Sequence, residues 1–226
     1  MLTRRELLKV SAAAGAIAIV PACAAKEPEK GEDVSPAEDL MREHGVLKRI
    51  LLVYREGIRR LDASQDLPPQ AIADSATIVR TFIEDYHEKL EEDFLFPRFR
   101  KARVQQDLVD VLEAQHHAGR TVTEETLHLA NASGIATQDG RRALSTSLAA
   151  FIRMYEPHEA REDTVLFPAL RTIISPNEYD ALGDDFEKRE HELFGKDGFE
   201  GIVERVATIE KTLGLYDLAQ FTPQAR

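Results

Sequence analysis

A segment whose residue types suit metal binding occurs twice in this 226-residue chain. The first copy, HEKLEEDFLFP, begins at His87, and the second, HEAREDTVLFP, begins at His158, 71 residues later. Each copy places a glutamate four residues after its histidine, at Glu91 and at Glu162. In an α-helix four residues make about one turn, so each imidazole and carboxylate point the same way, with Cα atoms about 6 Å apart. Such a pair can hold a metal ion, and the repeat predicts a supersecondary unit used twice.

Four long helices are expected to position these residues. Apolar residues recur every three or four positions and predict helices over about 35–61, 69–97, 104–133 and 140–167. Each apolar stripe contains one histidine, in chain order His44, His87, His116 and His158. Four imidazoles and two carboxylates in one core would form a two-metal site that both glutamates could bridge. Burying them without a metal would cost of order several kcal/mol for each unpaired charge, and this mixture of ligands favours a pair of irons.

Composition excludes several classes of protein. The net charge is −11, which argues against a nucleic-acid partner because a phosphate-binding surface needs clustered Lys and Arg. No alternating run rich in Val, Ile and Thr stands out, so the predicted fold class is all-α. The single cysteine, Cys23, precedes the first predicted helix, which leaves the folded part without a disulfide or a thiolate metal site.

The first 25 residues predict export. The pair Arg4-Arg5 precedes an apolar run that is too short to span a bilayer, and the segment closely resembles a twin-arginine signal peptide. Two forms of cleavage are open: processing at Cys23 as a lipoprotein, which would leave a lipid anchor, and plain cleavage near the same place. Either one predicts a periplasmic or cell-envelope protein.

The remaining chain divides into three parts. Residues 26–34 are rich in Glu, Lys, Pro and Gly and predict a flexible linker, residues 35–171 the helical bundle, and residues 172–226 accessory C-terminal helices. Ser35 and Ser175 are each followed by Pro and, three residues on, by Glu, which is the pattern of a capped helix start.

Three motifs taken together resemble the hemerythrin-like (HHE cation-binding) family. They are REHGVL beginning at Arg42, the two copies of the repeat, and QHHAGR beginning at Gln115. The resemblance covers about residues 36–171 and implies an up-down four-helix bundle around a non-haem di-iron centre, two iron ions with a bridging oxo or hydroxo group. Position by position, it assigns the metal ligands to His44, His87, Glu91, His116, His158 and Glu162.

One position departs from the oxygen-carrying members of that family. They place a second histidine one turn after the third-helix ligand, where this chain has Arg120. Water, Glu113 or Tyr155 could take the vacated position. An open position on iron could admit oxygen, peroxide or nitric oxide, which weakens the case for simple reversible oxygen carriage.

The other polar residues near the motifs are expected to stay off the metals. Glu88 and Glu159 repeat in both copies but point away from the ligand axis, and we expect them behind the ligands. The clusters Glu84-Asp85 and Glu91-Glu92-Asp93 are otherwise expected to be solvated, and surface positions are expected for His117, His128 and His191.

Three functions remain open from the sequence. The leading hypothesis is an exported di-iron protein that binds oxygen or a related small ligand (nitric oxide or peroxide) or handles iron. The second is a di-iron oxidase, peroxidase or nitric-oxide-handling enzyme, although the sequence supplies no obvious substrate pocket or proton donor. The third is a metal-free helical interaction module. No oligomeric state follows from the sequence.

Overall fold

The computed structural model of the chain describes residues 34–195 and 198–223. The predicted signal peptide, with Arg4, Arg5 and Cys23, and nearly all of the predicted linker lie outside these residues. The described residues form helices and no strand, which confirms the all-α prediction. The six helices are α1 (Pro36–Asp62), α2 (69–102), α3 (Gln106–Leu129), α4 (138–173), α5 (Pro176–Phe194) and α6 (Gly198–Leu213), followed by a 3₁₀ turn over Leu218–Phe221. Within the described part, no helix has the length and apolar character needed to cross a membrane.

Helices α1 to α4 form the up-down bundle. Short connections join consecutive helices, so that neighbours run antiparallel, and α1 and α3 each pack against both α2 and α4. The predicted starts of α1 and α5 are present, because the hydroxyls of Ser35 and Ser175 accept hydrogen bonds from the backbone N–H groups of Glu38 and Glu178. Buried leucines, isoleucines and aromatic rings fill the space between the helices. The polar residues of the repeat lie inside this apolar core.

Both copies of the repeat contain a π-helical turn. It spans Glu91–Leu95 in α2 and Glu162–Leu166 in α4, so it begins at the predicted glutamate ligand each time. The backbone N–H of the phenylalanine that follows bonds back five residues to the carbonyl of that glutamate. A proline, which lacks an N–H and would crowd an ordinary α-turn, comes directly afterwards.

The π turns explain why two helix ends were predicted too early. Pro97 was expected to end the second helix and Phe167 to lie at the end of the fourth, whereas α2 continues to Ala102 and α4 to Ile173. The prolines stand in the first turn of the helical segments Phe96–Ala102 and Phe167–Ile173, where a missing N–H is tolerated.

Helix α3 is shorter than the periodicity predicts. It ends at Leu129 rather than at Ser133. The side chain of Asn131 donates to the carbonyl of His128 and accepts from the hydroxyl of Ser133 and the N–H of Gly134. These local hydrogen bonds compete with the helical pattern and stop it.

The C-terminal helices share the core of the bundle. Phe194 and Phe199 pack their rings 5.6 Å and 6.4 Å from that of Phe82 on α2. Arg49 on α1 donates to both carboxylate oxygens of Glu210 on α6, at 2.9 Å and 2.6 Å. A bidentate pair of this kind also fixes orientation, so α6 is held in place beside α1.

Candidate metal centre

Six side chains from the four bundle helices converge inside the core, and they are the six that the sequence singled out. All are buried. One donor atom from each of His44, His87, Glu91 and Glu162 lies within 4.8 Å of the others; we call this group quartet A. The same holds for Glu91, His116, His158 and Glu162, which we call quartet B. The two glutamates belong to both quartets.

Each glutamate lies between one histidine of quartet A and one of quartet B. The Oε2 atom of Glu162 is 3.3 Å from His44 Nε2 and 3.2 Å from His158 Nε2. This oxygen could therefore serve ions on both sides.

Glu91 has the equivalent place on the other side of the centre. Its Oε2 atom is 3.8 Å from His87 Nε2 and 3.4 Å from His116 Nε2. Within quartet B, the Nε2 atoms of His116 and His158 are 3.2 Å apart. Nitrogen ligands that share one metal at about 2.1 Å are separated by this much.

The two glutamates leave four buried oxygen atoms without a hydrogen-bond partner among the described residues. Both carboxylates are fully buried. Burying an ionised carboxylate is costly unless another charge or a metal compensates for it. The donor set therefore fits two cations bound by nitrogen and oxygen.

Acidic side chains fix the imidazoles of quartet A from behind. His44 Nδ1 lies 2.7 Å from Asp163 Oδ1, and His87 Nδ1 lies 2.6 Å from Glu43 Oε2. An Nδ1–H that donates to a carboxylate leaves the Nε2 lone pair directed at the centre. Metal-ligating histidines use such contacts to set tautomer and orientation.

The same arrangement recurs in quartet B with one chemical change. His116 Nδ1 lies 3.1 Å from Glu92 Oε1, and His158 Nδ1 lies 2.9 Å from Gln115 Oε1. The second of these acceptors is a neutral amide. All four imidazoles are thus held with Nε2 toward the two glutamates.

Burial keeps two of the imidazoles neutral. It lowers the pKa of His116 to about 4, although the hydrogen bond with Glu92 acts in the opposite direction. Burial and the nearby His44 also lower the pKa of His87 well below its ordinary value. A neutral imidazole is the form that binds metal.

Quartet A also holds a charged pair when no cation is considered. Burial lowers the pKa of His44, but hydrogen bonds to Asp163 and Glu162 outweigh it and raise the pKa to about 9. Burial raises the pKa of Glu162, but His158 and His44 outweigh it and lower the pKa well below its ordinary value. Burial and the Glu162 carboxylate raise the pKa of Glu91 well above the ordinary value. Protons on His44 and Glu91 therefore occupy the place of the cations.

The structure disfavours one candidate for the position vacated by Arg120. Glu113 is directed to the surface, where its carboxylate lies 2.7 Å from the guanidinium of Arg100. Tyr155 is buried, and its hydroxyl donates to Glu88 Oε1 at 2.6 Å. Arg120 itself lies 2.8 Å from Glu88 Oε2 and pairs with Glu92 at 2.7 Å, so it supports quartet B from behind.

The Tyr155 hydroxyl occupies space that a glycine provides. A Cβ atom at Gly119 would lie 2.1 Å from the hydroxyl oxygen, so α3 has no room for a larger residue there. We call Tyr155, Glu88 and Arg120 the tyrosine corner. It is a group of polar side chains next to quartet B.

Sequence reasoning missed the four residues that hold the imidazoles. Each is the chain neighbour of a predicted ligand, and they are Glu43, Glu92, Gln115 and Asp163. Adjacent helical positions differ by about 100°, which takes each out of its own helix's ligand axis but toward the ligand of another helix. The dipeptides EH, EE, QH and ED were the available signal.

Two expectations about solvated acids were wrong. Glu84 is fully buried, and only 9% of the Glu92 side chain is exposed. Glu88 lies behind the ligands as expected, and Glu159 is buried with Lys48 at 3.7 Å. The histidines expected at the surface are exposed: His117, His128 and His191.

Comparison with known proteins gives one family and several relatives. Residues 35–170 match the hemerythrin HHE cation binding domain. An uncharacterized protein of Mycobacterium bovis and two of Mycobacterium tuberculosis are each 49% identical over 231 aligned positions, which cover 97% of this chain and 91% of the relative. No solved structure matches the chain significantly.

Proposed function

Because the chain belongs to the hemerythrin HHE cation-binding family, we propose that it binds one iron ion in quartet A and one in quartet B. Through this pair it binds oxygen or a related small ligand, such as nitric oxide or peroxide. The proposal rests on one observation above the others, the four unpartnered oxygens of Glu91 and Glu162 between two sets of imidazoles. A dinuclear centre gives every one of these buried oxygens a partner.

The protein's own residues would prepare the site for such a ligand. Bound irons supply the redox-active positions at which oxygen, nitric oxide or peroxide is held. The imidazoles, fixed through Nδ1, keep their Nε2 atoms in place, so the site needs little rearrangement when metal binds. The apolar core around the centre excludes bulk water and strengthens the electrostatic interactions within it.

A second candidate function is favoured by the tyrosine corner. The sequence showed no obvious proton donor, but the structure has a buried hydroxyl, Tyr155, hydrogen-bonded to a buried carboxylate, Glu88. Burial raises the pKa of Glu88 to about 8, although Tyr155 and Arg120 act in the opposite direction. A protonated carboxyl group beside quartet B could donate protons during peroxide or oxygen reduction. This supports an oxidase or peroxidase, and steady turnover of peroxide with a reductant would distinguish it from a carrier.

Metal analysis tests the proposal directly. Full-length protein from iron-supplemented cells should contain about two irons per chain and a visible absorption band that changes when oxygen is admitted. The double variant Glu91→Ala/Glu162→Ala should lose both the iron and the band. Glu125→Ala/Glu204→Ala removes two exposed carboxylates from α3 and α6 and should change neither. If iron is substoichiometric in the parent and unaffected by the first double variant, the protein is a metal-free helical module instead.

Export is proposed as a separate property. The segment around Arg4 and Arg5 is its basis, and Arg4→Lys/Arg5→Lys is the test because twin-arginine export requires the pair. The unchanged protein should appear in the periplasmic or envelope fraction and the variant in the cytoplasm. Metabolic labelling with a fatty acid, compared with Cys23→Ala, would decide between lipidation and plain cleavage.

A further inference from the structure

A third group of acidic side chains lies next to quartet A. Asp39 and Glu43 stand one turn apart on α1, and Glu190 comes from α5. One carboxylate oxygen from each residue lies within 4.8 Å of the other two. Oxygens that bind one hard cation at about 2.1–2.4 Å are separated by no more than this. We call these three residues the acidic cluster.

The central member of the acidic cluster has an unexplained oxygen atom. Glu43 is 1% exposed. Its Oε2 atom accepts the hydrogen bond from His87, but its Oε1 atom has no partner among the described residues. Holding His87 in position needs only one of the two oxygens. The other is a buried acceptor whose desolvation is uncompensated.

A buried tyrosine independently points to a ligand at the same place. Tyr86 is fully buried, and its hydroxyl has no partner in hydrogen-bonding geometry in the described part of the chain. Burial and the three carboxylates of the acidic cluster raise the pKa of this hydroxyl, because a phenolate would stand in their negative field. The hydroxyl therefore lies close to the cluster and offers it a further oxygen.

The charge of the acidic cluster is poorly balanced by protein groups. Among residues 34–195 and 198–223, one guanidinium reaches it, that of Arg42, which lies 3.7 Å from Asp39. Arg42 is 38% exposed and also stacks on the ring of Phe199. A solvated, shared cation contributes little. In agreement, burial and the other carboxylates raise the pKa of Asp39 to about 7.

We propose that Asp39, Glu43 and Glu190, with the hydroxyl of Tyr86, form a third cation site. Its ligands are oxygens only, which suits a hard divalent ion such as Mn²⁺ or Mg²⁺, in contrast to the imidazole-rich quartets. Asp39 and Glu190 are only partly buried, so an ion can enter from solvent. Glu43 connects this site to quartet A, because it holds the cluster with one oxygen and His87 with the other.

Manganese titration tests the third site. Full-length, iron-loaded protein is titrated with Mn²⁺, and free Mn²⁺ is followed by its electron paramagnetic resonance signal. The parent protein should take up one Mn²⁺ per chain while its iron content stays constant. Asp39→Asn/Glu190→Gln should weaken this binding at least tenfold. The amide introduced by Glu190→Gln still has an oxygen to accept the N–H of Phe199, as the carboxylate does at 2.6 Å, which preserves the start of α6.

A matched variant separates coordination from general charge. Glu187→Gln/Glu200→Gln removes two exposed carboxylates from the surfaces of α5 and α6 and should retain the Mn²⁺ affinity of the parent. Asp39→Asn alone gives the same comparison should the double variant fail to fold. The third site is refuted if the parent binds no Mn²⁺ or if the acidic-cluster variants bind it as tightly as the parent.

The test does not depend on the proposed di-iron function. The same titration in Glu91→Ala/Glu162→Ala, which removes the glutamates of both quartets, should still show one Mn²⁺ that depends on Asp39. Loss of iron from the quartets with retention of this Mn²⁺ would separate the two proposals. Uptake of Mn²⁺ that requires Glu91 and Glu162 would mean that the ion occupies the quartets, and the third site would be rejected.

Discussion

Quartets A and B are built from equivalent positions of a repeated helix pair, yet they differ in what supports them. His44 and His116 are 72 residues apart, and so are Glu43 and Gln115, while Asp163 follows Glu92 by 71. Three acids and one amide thus occupy the four equivalent supporting positions. The repeat preserves the proposed ligands, and the change from Glu43 to Gln115 makes the two halves unequal.

This inequality has a physical consequence for the two metal positions. Both imidazoles of quartet A donate to carboxylates, whose negative charge makes an imidazole a better metal ligand. In quartet B one imidazole donates to a neutral amide, and the other to Glu92, which Arg120 also binds. We therefore expect quartet A to hold iron more tightly and quartet B to be the more exchangeable half.

The largest effect should come from removing one imidazole from each half. His87→Ala should release the iron of quartet A and His116→Ala that of quartet B, because each histidine belongs to a single quartet. Iron analysis of the purified variants should give about one iron per chain in both cases. If either variant loses both irons, the quartets bind metal only as a unit and the comparison between them has no thermodynamic meaning.

Exchanging the supporting groups should reverse the order of the two halves. Glu43→Gln gives quartet A the neutral partner of quartet B, and Gln115→Glu does the opposite. The first should weaken iron binding in quartet A by about 10–100-fold, which is the usual cost of losing such a partner. The second should slow the release of iron from quartet B. The measurement is the rate of iron loss to a chelator, in two phases for the parent.

An unchanged biphasic release in both exchange variants would contradict this explanation. The side chains introduced by Glu43→Gln and Gln115→Glu each have an oxygen that can accept the Nδ1–H bond, so orientation is preserved and only charge is altered. Thermal melting of the variants provides the control for folding.

The sequence predicted the six central residues because their signal is local and repeated. Each sits on an apolar stripe where only a satisfied polar group is tolerated, as His44 does between Leu40 and Leu47. The all-α class followed from the same periodicity. The expectations that failed depend on contacts between helices or on short-range details, such as the π turn that carries α2 past Pro97.

The supporting residues were harder to predict for the same reason. Glu92 looks like part of a solvated acidic run on its own helix, and only the approach of α3 brings His116 and Arg120 to it. The acidic cluster likewise needs α5, since Glu190 is 151 positions after Asp39. Spacing along one helix cannot indicate which side chains meet across a bundle.

A smaller effect should follow from filling the space at Gly119. Gly119→Ala places a Cβ atom where the Tyr155 hydroxyl lies, so the hydroxyl should move away from Glu88. Crowding of this kind costs about 1–3 kcal/mol of stability. Tyr155→Phe removes the hydroxyl without crowding, and it should give the same change in the visible spectrum with a smaller loss of stability. A changed spectrum with two irons retained would locate the tyrosine corner at quartet B; an unchanged one in both variants would separate it from the metals.

The smallest effect is expected at Glu113, the alternative ligand that the structure places at the surface. Its carboxylate pairs with Arg100, which also contacts Asp110 at 3.0 Å, so Glu113→Ala leaves the guanidinium with a partner. The pair is partly exposed, and such pairs contribute about 0–1 kcal/mol. Iron content, release kinetics and visible spectrum should all match the parent, with Glu125→Ala on the same helix as the control. A spectral change confined to Glu113→Ala would mean that this side chain turns inward to complete quartet B when iron binds, and the two halves would then be more alike than their supporting residues indicate.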